Sequence, residues 1–134
     1  MKIAIPHSRP TLGEAEAEAV HRVVLSGQLV QGREVAVFEE EVAAFTGRRF
    51  AVAVSSGTAG LHLALLALEV GEGDEVILPS YVCTALLHAA WAAGSTPVAV
   101  DVDPSTRNLD VGRVREKLGE RTRAIIAPHM FGLP

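Results

Sequence analysis

The feature that most constrains the fold is an alternation of short apolar runs with helix-like runs from residue 50 onward. Strands are expected at residues 50–54, 75–78, 97–102 and 123–127. Helices are expected between them, at residues 58–70, 81–93 and 110–118. Such alternation indicates βαβ units, and continuously apolar runs suit strands that are buried on both faces. The pattern therefore predicts an α/β fold with a mostly parallel sheet and flanking helices.

Local signals mark where individual elements begin and end. Ser80 is expected to cap the helix at 81–93 and Gly94 to end it, because Ser is a favoured N-cap residue and Gly a favoured terminator. The sequence Asp103-Pro-Ser-Thr is typical of a turn. Residues 1–49 carry no strand signal and form an N-terminal helical segment ahead of the βαβ units at 50–134.

The N-terminal segment is predicted to hold two helices. Thr11 and Glu14 match a capping box, in which a hydroxyl and a carboxylate satisfy the first free N–H groups of a helix. That helix should end at Gly27, and a second helix should end at Gly47. Four apolar residues at helical spacing share one face of the second helix: Val35, Phe38, Val42 and Phe45.

Composition narrows the functional class. A chain of 134 residues is expected to form one domain. Its net charge of −4 argues against a surface that binds nucleic acid. Cys83 is the only cysteine, which excludes an intrachain disulfide and favours a reducing compartment. The longest apolar stretches fall short of the about 20 residues of a membrane span, and no signal peptide is visible. We therefore expect a cytoplasmic protein that contacts no membrane.

Small hydrogen-bonding residues cluster where the first predicted strand meets its helix, in the sequence Ser55-Ser-Gly-Thr-Ala-Gly60. Free N–H groups and the positive dipole end at a helix start favour a phosphate. Gly57 would allow close backbone approach, Thr58 offers an N–H and a hydroxyl, and Ala59 offers an unobstructed N–H. An ordinary helix cap and turn is the alternative, and this segment alone does not decide between the two.

The remaining candidates are weaker. The corner lacks the lysine of a Walker loop and the G-x-G-x-x-G of a dinucleotide fingerprint. His62 and His88 lie within apolar helices, where a packed histidine is the favoured interpretation. His129 follows the last strand and could face a pocket, although no chemical role is assigned to it. Metal-ligand spacing is absent from the sequence.

Several segments together resemble the N-terminal half of the DegT/StrS family of sugar aminotransferases, which use pyridoxal phosphate (PLP). The segments are SSGTAGLHLALLAL, GEGDEVILPSY, GSTPVAVDVDP and RTRAIIAPHMFGLP, together with IPHSRPTLGEAEAEAV, SGQLVQG and VAVFEEEVAAFTG near the N-terminus. They occur in the family's order and spacing and cover essentially the whole chain. The resemblance implies that residues 1–134 are an incomplete, N-terminal part of a PLP-binding large domain of the aspartate aminotransferase type.

The resemblance also implies a role for particular residues. Gly57, Thr58 and Ala59 match the start of the family's cup for the cofactor phosphate. Cys83 occupies the position at which the family commonly has an aromatic residue that stacks on the pyridine ring. A thiol can pack against that ring with a smaller contact area. The cofactor-binding residues expected from the resemblance are therefore these four.

The family's catalytic lysine has no counterpart here. Transamination through PLP needs a lysine to hold the cofactor as a Schiff base and to move a proton. Lys2 lies at the terminus and Lys117 on a charged helix, so neither matches and no catalytic residue is assigned. The resemblance also implies that the strand at 50–54 joins the sheet only through strands that come later in the family's chain.

Three interpretations stay open at this point. The chain is the N-terminal fragment of an aminotransferase that transfers an amino group, from a donor such as glutamate, to a keto nucleotide-sugar, and it is inactive alone. In the second interpretation, the chain is a non-catalytic truncated module that binds a ligand or a partner. In the third, it is part of a relative that dehydrates sugars with PLP. In the family the functional unit is a homodimer, which the first interpretation carries over to the parent protein.

Overall fold

The structure is a computed structural model, which describes residues 8–134. Its residue contacts divide the chain into two compact units, of which the second is Val54–Pro134 and the first covers residues 8–53 of the described chain. Lys2 and the beginning of the IPHSRPTLGEAEAEAV match lie outside the described residues. The expected division into residues 1–49 and 50–134 of a single incomplete domain stays a prediction.

The first unit contains two α-helices, α1 (Glu14–Ser26) and α2 (Arg33–Thr46). Both end as predicted, because Gly27 and Gly47 adopt left-handed backbone conformations, with φ of +70° and +64°, that terminate a helix. The predicted capping box was wrong by two residues. Gly13 is the N-cap, and its N–H donates to the Glu16 carboxylate at 2.7 Å. Glu16 thereby satisfies the N-cap amide that the sequence had assigned to Glu14.

The second unit contains the βαβ units. Its helices are α3 (Gly57–Ala67), α4 (Ala85–Ala92) and α5 (Val111–Lys117), and a 3-10 turn follows at Met130–Gly132. Its strands are β1 (Glu75–Pro79), β2 (Thr96–Val100) and β3 (Thr122–Ile125). They form one parallel sheet in the order β2-β1-β3. The predicted α/β class and the parallel sheet are confirmed.

The predicted first strand at 50–54 does not form. Both edges of β1 are already paired, with β2 on one side and β3 on the other. Residues 50–54 therefore cannot pair with the central strand. The Ala53 N–H donates to the Glu39 carboxylate of α2 at 2.7 Å instead. A strand needs a partner for its N–H and C=O groups, and a side-chain acceptor serves one of those groups here.

The core of the second unit lies on both faces of β1. Val76 packs with α3 and α4 in a cluster that includes Leu65 and Ala89, whereas Ile77 packs with Val114 of α5. Successive strand residues face opposite sides of a sheet, so helices cover both sides of the central strand. The continuous apolar run of β1 is explained by this double burial.

The predicted cap of α4 was wrong and its predicted end was confirmed, whereas the cap of α5 was not predicted. α4 begins at Ala85 with Thr84 as N-cap, because the Ser80 N–H instead donates to the Val100 carbonyl at 2.7 Å and extends the pairing of β1 with β2. Asp110 caps α5, with its carboxylate accepting from the Gly112 and Arg113 N–H groups at 2.7 and 3.1 Å. The terminating role of Gly94 was also correct, since its φ is +82°.

Candidate functional site

The corner before α3 combines a helix cap with unused backbone donors. Ser56 is the N-cap in an extended conformation, and its Oγ accepts from the Ala59 N–H at 3.1 Å. The Gly60 N–H donates to the Ser56 carbonyl at 3.0 Å. Ser56 and Ala59, both of which lie in the cluster of small residues, therefore form the helix cap. The Ala59 N–H can donate to a phosphate only if the Ser56 hydroxyl first turns away from it.

Two backbone donors stay available at this corner. Within the described chain, the N–H groups of Gly57 and Thr58 have no protein acceptor. Gly57 is exposed, and a Cβ added to it would meet no heavy atom within 4 Å. Thr58 is half-buried and adds a hydroxyl beside its N–H. The space at the Cβ position of Gly57 is therefore open.

The electrostatics of the corner favour an anion. α3 has 11 residues, and its peptide dipoles place partial positive charge at Gly57. Its first turn contains no acidic residue that would compete for the free N–H groups. A phosphate monoester, with several acceptor oxygens and at least one negative charge, fits this arrangement.

The corner lies toward the carboxyl edge of the sheet. α3 leads into the amino end of β1, and α4 starts just beyond the carboxyl end of β1, at Ala85. The two helices pack on each other. Leu61, one turn into α3, and Ile126, immediately after β3, pack onto the same cluster. Open parallel sheets bind ligands beyond this edge.

Cys83 lies in the connection from β1 to α4 and is exposed as a free thiol. This connection leaves the same carboxyl edge, and α4 packs against α3. The structure thus places all four predicted cofactor residues at starts of two neighbouring helices. Their binding roles stay predictions.

The histidines divide differently from the sequence expectation. His62 is half-buried in α3, but His88 is exposed on α4, where its ring stands beside that of Trp91 with centroids 6.0 Å apart. The expectation of a packed His88 was wrong, because His88 lies on the face of α4 that is turned away from the core. His129 is exposed beyond β3. Across residues 8–134, no group of three or more acidic, histidine or cysteine side chains could hold a metal ion.

Sequence reasoning missed Asn108. Its side-chain amide donates to the Leu133 carbonyl and accepts from the Met130 N–H, both at 2.9 Å. These contacts span more than 20 residues of sequence, since the partners are 25 and 22 positions away. No local pattern reveals such a contact, because an asparagine in a turn-rich segment is ordinary.

The fold is that of an α/β protein in which a helix start with two unpaired N–H groups lies toward the carboxyl edge of a parallel sheet. The model of the DegT/DnrJ/EryC1/StrS aminotransferase family matches residues 10–134. The chain belongs to this family.

Solved structures of aminotransferases are similar to the chain over nearly its whole length. A putative sugar aminotransferase from Streptococcus pneumoniae, in its PMP form, is 35% identical with a TM-score of 0.93, and the match covers 97% of this chain and 33% of that one. DesV from S. venezuelae, in complex with a ketimine intermediate, is 41% identical with a TM-score of 0.84, over 90% and 33%. An aminotransferase from Psychrobacter cryohalolentis is 37% identical with a TM-score of 0.88, over 96% and 33%.

The chain therefore spans about a third of the length of the aminotransferases that it matches. Aminotransferases of this family depend on PLP, and the Streptococcus pneumoniae relative has been solved in a PLP form as well as a PMP form. The structure fits the phosphate of that cofactor at Gly57 and Thr58, whose N–H groups have no acceptor within the described chain. In residues 8–134 no helix has the length and apolar character of a membrane span.

Proposed function

We propose that the chain is the N-terminal part of a PLP-dependent aminotransferase that transfers an amino group from a donor such as glutamate to a keto nucleotide-sugar. The parent enzyme acts as a homodimer in the cytoplasm. The 134 residues alone are inactive in this reaction. Family membership and the coverage of one third of the related chains support the proposal.

The observation that carries the cofactor assignment is the pair of free N–H groups at Gly57 and Thr58. Backbone donors at a helix start are an anion site that costs no side-chain ordering. In the proposal, these groups and the Thr58 hydroxyl bind the phosphate, and Cys83 packs against the pyridine ring. When bound, PLP supplies the electron sink for amino transfer. The residues of this chain bind and orient it.

The position of Lys117 supports the inactivity of the chain alone. Lys117 is the last residue of α5, and β3 begins five residues later, at Thr122. It therefore lies toward the amino edge of the sheet, whereas the corner at Gly57 lies toward the carboxyl edge. A lysine at the opposite edge cannot reach a cofactor held at the corner. The lysine of the parent enzyme then belongs to another part of its chain.

The unpaired segment at 50–54 agrees with this proposal. In the described chain it joins no strand, although its residues have strand character. In the proposal, strands from the other two thirds of the enzyme pair with it and complete the sheet. The exposed side chains of Phe50 and Val52 would then become buried.

The test removes a single backbone donor. Proline is tolerated at the first position of a helix, and the extended Ser56 suits the residue before a proline. Gly57→Pro should therefore delete one N–H without breaking α3. We expect it to weaken binding of PLP by about tenfold or more, since a hydrogen bond to a charged group is worth about 1.5–3 kcal/mol.

Gly57→Ala is the matched control, because its added Cβ meets no neighbour and its N–H remains. Equilibrium dialysis with PLP measures the affinities, and circular dichroism confirms that the helix content is kept. Equal PLP affinity of Gly57→Pro and wild type would contradict the assignment, and Gly57→Ala shows how much of any loss comes from the added Cβ alone. Borohydride trapping and a keto-sugar assay test the inactivity, and turnover by the pure chain would refute that part.

A further inference from the structure

Asn108 joins two segments that leave the sheet from opposite outer strands. It lies in the connection that follows β2, and its partners Met130 and Leu133 lie in the turn that follows β3. Since β1 separates β2 from β3 in the sheet, the link crosses the carboxyl end of the central strand. The two bonds also determine the orientation of the amide, because an N–H can only donate and a carbonyl can only accept.

The connection that carries Asn108 is itself well ordered by hydrogen bonds. The Asn108 carbonyl accepts from the Asp103 N–H at 2.9 Å, and its N–H donates to the Thr106 hydroxyl at 3.2 Å. The Asp103 carboxylate in turn accepts from the N–H groups of Ser105 and Thr106. The backbone and the side chain of Asn108 are therefore both engaged, which holds its amide in one place.

The turn that Asn108 holds contains an unusual residue. Phe131 has a φ of +54°, which a bulky side chain rarely adopts, and its side chain is 85% exposed. Its own burial therefore does not stabilise this conformation. A left-handed non-glycine residue persists where surrounding contacts determine it, and such residues cluster at ligand sites. Two backbone hydrogen bonds close the turn around Phe131, from the Gly132 N–H to the His129 carbonyl and from the Leu133 N–H to the Met130 carbonyl. The two bonds of Asn108 tie the same turn, at Met130 and Leu133, to the connection after β2.

We infer that Asn108 is a positioning residue. Its amide holds the turn Met130–Leu133 and the left-handed conformation of Phe131 at the carboxyl edge of the sheet. His129 directly precedes this turn, so its placement depends on the same bonds. The inference deepens the proposed function and rests on it in one respect: the turn lies toward the same carboxyl edge of the sheet as the corner at which PLP is proposed to bind.

Hydrogen exchange and NMR test the holding of the turn. Asn108→Ala should lower the protection of the Met130 amide by about two- to tenfold, the worth of one hydrogen bond. It should also weaken the strong intraresidue contact between N–H and Hα that marks positive φ at Phe131. Gln31→Ala, which removes an exposed carboxamide elsewhere, should change neither. Asn108→Asp, which keeps the acceptor for Met130 but loses the donor at neutral pH, should give an intermediate result and serves if Asn108→Ala fails to fold.

A double-mutant cycle tests whether the bonds of Asn108 impose the left-handed conformation of Phe131 or only contact the turn. Phe131→Gly should raise the protection of the turn amides in the wild-type background, because glycine adopts positive φ without strain. In the Asn108→Ala background, its effect should be clearly smaller, because the conformation is no longer imposed. Equal effects of Phe131→Gly in both backgrounds would overturn the inference.

Binding of PLP tests the positioning of the site. Asn108→Ala should weaken the affinity for PLP by about threefold or more under conditions in which circular dichroism shows that the chain is still folded. Unchanged affinity together with a loosened turn would show a purely structural link and overturn the positioning role. A wild-type chain without PLP affinity would overturn the proposed function and the cofactor half of this inference. Hydrogen exchange would still test whether Asn108 holds the turn at Met130–Leu133.

Discussion

At the scale of single residues, the start of α3 combines a helix cap with the phosphate site that we propose. Ser56 caps the helix and accepts from the Ala59 N–H, while the Gly57 and Thr58 N–H groups have no acceptor in the described chain. Capping and phosphate binding both favour small polar residues and glycine. The sequence could therefore predict the corner. Only the hydrogen bonds show which of its N–H groups the cap occupies and which have no acceptor.

Asp103 is the residue through which pH should act on the carboxyl-edge connection. Hydrogen bonds from the Ser105 hydroxyl and from the Ser105 and Thr106 N–H groups lower the pKa of its carboxyl below the ordinary 3.8. A lowered folded-state pKa means that the charged form stabilises the fold above the ordinary pKa. That contribution is lost as the pH falls through the folded-state pKa.

We predict that Asp103→Asn destabilises the chain at neutral pH and that the difference from wild type shrinks as the pH falls below about 4. Urea unfolding between neutral pH and pH 3 measures it. Asp101→Asn is the control, since its exposed carboxylate accepts no backbone N–H in the described connection, and should differ from wild type less than Asp103→Asn does. A constant gap between Asp103→Asn and wild type across the range would argue against the linkage.

At the scale of elements, boundaries were predicted least well where tertiary contacts compete with local signals. α4 starts four residues after the position expected from a Ser80 cap, because the Ser80 N–H pairs with β2. The segment at 50–54 has the composition of a strand but no partner. By contrast, the ends of α1 and α2 at Gly27 and Gly47 depend on local backbone freedom, and the sequence predicted both.

The Asp110 cap of α5 offers a test at this scale. Asp110→Ala removes the acceptor for two N–H groups, at Gly112 and Arg113, and should lower the free energy of unfolding by about 0.5–2 kcal/mol. Glu120→Ala, on an exposed carboxylate just after α5, should have a much smaller effect. Chemical denaturation followed by circular dichroism provides both values. An Asp110→Ala cost no larger than that of Glu120→Ala would show that α5 does not depend on its cap.

At the scale of the whole molecule, the second unit is a short sheet with helices over both faces of its central strand. Every apolar residue of β1 from Val76 to Leu78 is fully buried. The outer strand β3 is only half covered, and Ile125 is 46% exposed. Stability should therefore depend on β1 far more than on the outer strands.

Ile77→Ala compared with Ile125→Ala tests this dependence with one chemical change. Ile77 is fully buried between the sheet and α5, so its truncation should cost about 2–5 kcal/mol through lost burial and a residual cavity. Ile125→Ala should cost well under half of that. Urea unfolding of the two variants gives the comparison, and similar losses would mean that the edge strand is as important to the core as β1.

The sequence by itself determined the α/β class, the parallel sheet and the corner with its small residues, because apolar periodicity and the conformational freedom of glycine act over a few neighbouring residues. Tertiary structure alone decided the rest. It determined which strand lies at the centre, that residues 50–54 form no strand in the described chain, and that Asn108 bonds the turn after β3. Each of these depends on atoms that are distant in sequence, so no local pattern encodes them.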